Sequence, residues 1–251
     1  MSHWVFNGIR TGIKTSAYPR RPETAAGVTP GLPRGRKLDA GEAKALMDTC
    51  PAEVFRLEDG RVLADVRRCI HCYRCVRIAP HPALWEQSYE WALQPGRETG
   101  FVSAFKKSIN ICVVDAGDCG SCLNEVRQLN NPYYNIHRLG FFITPTPRHA
   151  DVLLVVGPVT DHMSLALQKV YNAMPTPKLV VAVGVCALSG GVFAESFACA
   201  GGVTDVLPVD VEVPGNPPPP LAIIHGLLVA TGRKAPVDMP ATPYQSGGSG
   251  P

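Results

Sequence analysis

Three cysteines spaced three apart, Cys69, Cys72 and Cys75 in RRCIHCYRCVRIAP, constrain this chain more than any other feature. A C-x2-C-x2-C run lets one loop wrap three corners of an iron–sulfur cubane, with backbone amides turned toward the sulfurs. The chain has nine cysteines in all. In a reducing compartment such thiols are metal ligands, redox groups or small buried apolar residues, not a disulfide framework. Zinc is the competing metal, since two CxxC-like pairs satisfy it, but three thiolates crowded on one loop suit a cubane better. His71 and Tyr73 stand between the ligands and read as their neighbours or as surface residues.

A fourth ligand is needed. In the bacterial ferredoxin run a further Cys follows four residues on, before Pro; here that slot reads Ala79-Pro80. In two-cluster ferredoxins that Cys serves the other cluster, and each cluster borrows its last ligand from the opposite motif. The donor is then expected upstream as Cys-Pro, and Cys50-Pro51 in TCPAEVF supplies it. Cys50, Cys69, Cys72 and Cys75 form a complete set for one 4Fe-4S cluster.

Around this set the chain divides by composition. Residues 1–38 carry seven Lys or Arg against one acid, Glu23, and read as an extended basic arm strapped to partner subunits. The arm lacks interleaved aromatics and a folded basic face, so nucleic acid is not the expected partner. Residues 39–100 read as a small module: a helix from Asp39, then a hairpin around Asp59-Gly60 beside the cysteine run. From about residue 105 apolar runs alternate with helical segments: NICVVDA, HRLGFFIT, DVLLVVGPV, KLVVAVGV and DVLPVDV. Runs so continuous suit strands buried on both faces of a parallel sheet, with SCLNEVRQL, DHMSLALQKVYNAM and LAIIHGLLVATG as covering helices. The fold class is α/β, spanning residues 105–232, and residues 233–251 read as a disordered tail. No apolar run is long enough to span a membrane and no secretory signal stands at the N-terminus, so a cytoplasmic protein is expected. No Walker loop, G-x-G-x-x-G or nucleophile elbow is present, so nucleotide or hydrolase chemistry has no support.

In α/β sheets cofactors sit at the carboxyl ends of strands, and the remaining cysteine loops fall there. Cys119 and Cys122 in DAGDCGSCLNEV head a helix whose terminal amides suit an anionic cluster. Cys186 follows a later strand in VGVCALSGG, where Ser189-Gly190-Gly191 permits close backbone approach. Cys112, mid-strand, reads as core.

CGSCLNE, NPYYNIHRLGFFITPTPRHADVLLVVGPVT, GVCALSGGVF and LPVDVEVPGNPPPP together resemble the proximal-cluster small subunit shared by energy-converting nickel-iron hydrogenases and complex I. The arm and ferredoxin-like module resemble the hydrogenase branch more closely. The resemblance implies a flavodoxin-like domain and a second 4Fe-4S cluster on Cys119, Cys122 and Cys186. It also implies a large nickel-iron-hydrogenase-like or complex I-like partner, other iron–sulfur subunits and membrane-arm subunits. The chain would be an electron relay, peripheral on the inner face of the membrane, with no bond chemistry of its own. Glu125, three residues after Cys122, matches the family's CxxCxxE and reads equally as a first-turn carboxylate. One position departs: where the family carries Cys within PGCPP, this chain has Asn216. A substitute ligand, a three-iron cluster or loss of the cluster are the three outcomes. Cys199 in ESFACAGGV is a candidate substitute, or else a buried apolar Cys. Arg148, His149 and Asp151 read as structural. The alternatives are a quinone-reducing subunit and a scaffold whose proximal site is altered.

Overall fold

The computed structural model describes residues 3–35, 38–78, 85–95, 108–194 and 196–237. Ala79-Pro80, most of the connection before residue 108 and the tail from residue 238 lie outside the described residues.

Five parallel strands form the main sheet: β5 (Ile109–Asp115), β6 (Phe141–Ile143), β7 (Val152–Val156), β8 (Leu179–Val183) and β9 (Val211–Val213). Their order is β6-β5-β7-β8-β9, the flavodoxin-like 2-1-3-4-5 arrangement. The apolar runs are continuous because both faces are covered. Val152, Leu154 and Val156 face one core, with α4 (Ser121–Gln128) and α7 (Pro220–Ala230). Leu153 and Val155 face the other, with α5 (Asp161–Ala173) and α6 (Val185–Ser189). Asp151 takes the Asn110 amide at 2.8 Å and Asp210 takes the Val180 amide at 2.8 Å, so both carboxylates cap the sheet. The last strand falls later than expected. Val203–Asp205 winds into a 3-10 turn and Pro208 has no N–H for a ladder, so DVLPVDV pairs only from Val211.

The small module has its own core. The helix α2 (Ala40–Thr49) is capped by Asp39, which accepts from Glu42 N at 2.7 Å. The hairpin β2 (Phe55–Glu58) and β3 (Arg61–Ala64) turns at Asp59 and Gly60, both at positive φ as its two-residue turn requires. Ala43, Leu46, Val54, Phe55 and Val62 pack with Cys69 and Cys75.

The arm departs from the expected shape. His3–Thr11 is a helix, α1, because Val5 and Ile9 stand four apart on one face, but none of its residues is buried. Beyond it the strap is pinned to the chain itself: Tyr18 is fully buried, edge-on to Tyr89, and its carbonyl accepts from Arg138. Strand β1 (Leu32–Pro33) then pairs with β4 (Trp85–Glu86). The segment leaving β4 runs along the free edge of β9, where Leu93 and Glu212 exchange both backbone hydrogen bonds at 2.9 Å.

That segment also covers α7, all of whose residues are buried, His225 included. His225 Nδ1 accepts from Ala92 N at 3.2 Å, and burial pushes its pKa down to about 4, with Glu90 opposing and Lys234 reinforcing the shift. A depressed histidine contributes stability that is present above the unfolded pKa and lost as pH falls toward the folded one. Between about pH 6.5 and 4 the chain should lose up to about 3 kcal/mol from this residue. Urea unfolding across that range checks this, and a His225→Gln variant should lack this part of the loss.

Candidate metal centre

The first cysteine set is brought together as the spacing requires. Val66–Arg68 makes one 3-10 turn, Cys69 follows it, and the short helix α3 (Arg74–Ile78) carries Cys75. Between them His71 (φ 53°) and Tyr73 (φ 57°) are left-handed, a conformation that costs non-glycine residues about 1–2 kcal/mol each. These two turns coil the loop around Cys72. Cys50, Cys69, Cys72 and Cys75 all line one pocket with Pro33, Val54 and Trp85.

The pocket is built to receive sulfur ligands. Val54 N donates to Cys50 Sγ at 3.4 Å, and the His71 amide donates to Cys69. Burial, and then the other three thiols, push the Cys69 pKa up to about 12. A thiol as buried and crowded as Cys69 stays protonated unless a cation holds it as a thiolate. The Trp85 indole N–H is buried with no hydrogen-bond partner of its own, yet it faces Cys75 and opposes the rise that burial causes there. Tyr73 stacks on that indole at 4.9 Å between ring centroids. Among the described residues no three His, Cys, Asp or Glu side chains converge on a point as a lone ion requires. A cubane asks for something else: four thiolates set around a body of iron and sulfide, with donors aimed at the sulfurs.

The second set gathers at the strand ends where the chain order reverses, between β5 and β7. Asp115 accepts from Gly117 N and Asp118 N, fixing the loop after β5. Asp118 then accepts from Gly120 N and Leu123 N at 3.0 Å each, so these amides at the head of α4 serve a carboxylate rather than a cluster. Cys122 and Cys186 are buried and Cys119 is exposed. Burial raises Cys122, with Asp118, Cys186, Cys119 and Glu125 adding; Cys186 is pushed up to about 11 by burial, then by Cys119, Asp118 and Cys199. Two glycines leave room for these sulfurs: a Cβ on Gly184 would press into Cys122 Sγ, and one on Gly191 would lie 2.9 Å from Cys186 Sγ. The loops thus bring Cys119, Cys122 and Cys186 near one another.

Asn216 is turned away from these three cysteines. Its side-chain amide donates to Ile70 O at 3.0 Å and its backbone N–H to His71 Nδ1 at 2.9 Å, both in the first cysteine loop. Cys199 is half-buried, its backbone bridged to Thr160. Cys112 is buried in the sheet among apolar residues. Glu125 is half-buried, and burial raises its carboxyl.

Comparison with known proteins fits this geometry. Residues 119–230 match the family described as NADH ubiquinone oxidoreductase, 20 kDa subunit. An uncharacterised protein of Methanocaldococcus jannaschii is 48% identical over 49% of this chain and 82% of its own length. The chain belongs to the NADH ubiquinone oxidoreductase 20 kDa subunit family. A second relative, named probable membrane-bound hydrogenase subunit mbhJ, of Pyrococcus furiosus, is 40% identical over 53% of this chain and 80% of its own length. A third, formate hydrogenlyase subunit 7 of Escherichia coli, is 35% identical over 54% of this chain and 53% of its own.

The matched residues include the second cysteine set and not the first. Trp85 and the His71–Asn216 contact escaped the sequence reading, because neither carries ligand spacing. Trp85 supplies a clean test. Donors to sulfur stabilise the more negative, reduced state, so with an iron–sulfur cluster held by the first set Trp85→Phe would lower its reduction potential by roughly 20–60 mV, the worth of a hydrogen bond of about 0.5–1.5 kcal/mol. A redox titration followed by electron paramagnetic resonance (EPR) reads the shift.

Proposed function

We propose that the chain is the iron–sulfur electron-relay subunit of a membrane-associated oxidoreductase, hydrogenase-like or complex I-like. On this reading residues 39–100 hold one 4Fe-4S cluster on Cys50, Cys69, Cys72 and Cys75, and residues 105–232 hold a second on Cys119, Cys122 and Cys186. The observation that carries it is the nearness of two cysteine sets remote in sequence: Ser189, in the turn of Cys186, donates to Arg67 O, two residues before Cys69, and Asn216 ties Ile70 and His71 to the loop whose Gly215 O accepts from Val185 N. Such clusters, when bound, take up and release single electrons. The chain's own residues would enclose them in part, aim N–H groups at sulfur at the first site and fix one site against the other.

The P. furiosus and E. coli relatives are named as subunits of a membrane-bound hydrogenase and of a formate hydrogenlyase, which supports partner subunits; on this reading they are a large catalytic subunit, further iron–sulfur subunits and membrane-arm subunits. No helix among the described residues is long and apolar enough to cross a membrane, which agrees with attachment to the inner face through those partners.

The test is iron per chain and EPR on the complex purified without oxygen. About eight irons with two interacting reduced signals support both sites, and about seven with an oxidised three-iron signal support an open corner at the second. The orientation of Asn216 favours that open corner over a ligand from Asn216 itself. About four irons, unchanged in Cys119→Ala, would sink the second site and leave a scaffold domain.

A further inference from the structure

The two cysteine sites are connected by a short chain of bonds. His71 lies between Cys69 and Cys72, and its ring bridges two segments. Nδ1 accepts from Asn216 N at 2.9 Å, so Nε2 carries the proton and donates to Gly31 O at 3.0 Å. Asn216 N is bonded to the carbonyl carbon of Gly215, and Gly215 O accepts from Val185 N at 2.9 Å. Val185 precedes Cys186. A second strand of contacts runs parallel: Ile70, next to Cys69, accepts from the Asn216 side chain at 3.0 Å. Ser189, in the same turn as Cys186, donates to Arg67 O at 3.1 Å.

We propose that the His71 imidazole, the Asn216 peptide and the Gly215 carbonyl are the electronic conduit between the two sites, and that Asn216 serves as its connector rather than as a ligand. This rests on the relay reading above. Electronic coupling decays less steeply through covalent and hydrogen bonds than across a gap, and this route crosses two hydrogen bonds, beside the single one from Ser189 to Arg67 O. With clusters bound at both sites, one electron would pass from one to the other, the donor site being oxidised and the acceptor site reduced by that electron. No proton moves, because the His71 ring keeps one donor and one acceptor throughout.

The test uses two variants that the backbone at His71 tolerates. His71→Gly accepts positive φ and removes the ring. His71→Asn also tolerates that φ and returns an acceptor atom near the position of Nδ1. The readouts are iron content, the reduction potential of each site by EPR titration, and the rate of site-to-site electron transfer after flash reduction of the complex. The expected result is full iron in both variants, whose backbone amide to Cys69 is kept, and a partial loss of transfer rate in His71→Gly, because the Asn216–Ile70 and Ser189–Arg67 contacts remain. In His71→Asn most of the rate should return. Wild-type transfer in His71→Gly with both clusters present would overturn the conduit and leave the relay intact. Loss of first-site iron from both variants would also overturn it, assigning His71 to holding the loop. A single cluster in the unaltered complex would instead remove the relay between two sites, and the conduit with it.

Discussion

Cys69→Ala in the intact complex is expected to lose about four irons per chain, while Cys119→Ala keeps them. Cys69 is the ligand in which burial, a donated amide and three neighbouring thiols meet, so no solvent molecule can take its place cheaply. The effect should reach beyond the metal. The module's buried apolar residues are few, and Cys69 and Cys75 are themselves part of that core. A body this small rarely holds together by apolar burial alone, and metal binding then becomes part of the folding free energy. Hydrogen exchange should therefore show the β2–β3 hairpin amides losing protection in Cys69→Ala, with β7 and β8 still protected. Unchanged hairpin protection would mean that the module folds without its metal.

The contrast reflects how each unit is written in the sequence. The sheet was legible because its strands are buried on both faces, which leaves long apolar runs such as DVLLVVGPV and KLVVAVGV that little else produces. The hairpin was legible because Asp59-Gly60 suits the turn it makes. The first cysteine set declared itself by spacing within one loop. What stayed hidden depends on contacts between distant segments. Nothing about Trp85 marks it as a neighbour of Cys75, and nothing about Asn216 says that its amide faces Ile70 and not Cys186. One part of the strap stayed hidden for the same reason: Tyr18, which read as an anchor for a partner, buries against this chain's own core, whereas Trp4, Phe6, Ile9 and Ile13 remain exposed.

Glu212→Gln should destabilise the chain by about 3–5 kcal/mol, the usual cost of breaking a buried ion pair by removing one partner. Arg67 Nε lies 2.6 Å from Glu212 Oε2, with both side chains almost wholly enclosed. Burial raises the Glu212 carboxyl, and Arg67 opposes the rise. An exposed pair would contribute under about 1 kcal/mol, and enclosure is what separates the two cases. The position gives the pair its second effect. Arg67 stands two residues before Cys69, and Glu212 stands four before Asn216, on the strand whose edge Leu93 covers. Losing the carboxylate should loosen the module from the sheet domain before either unfolds, so site-to-site transfer should slow while both reduced signals persist. Replacing both partners with apolar residues, Arg67→Met with Glu212→Leu, removes the buried charge together with its counter-charge. The double variant should therefore be more stable than Glu212→Gln by urea unfolding. If it is no more stable, the ion pair is not what holds the two cysteine loops in register.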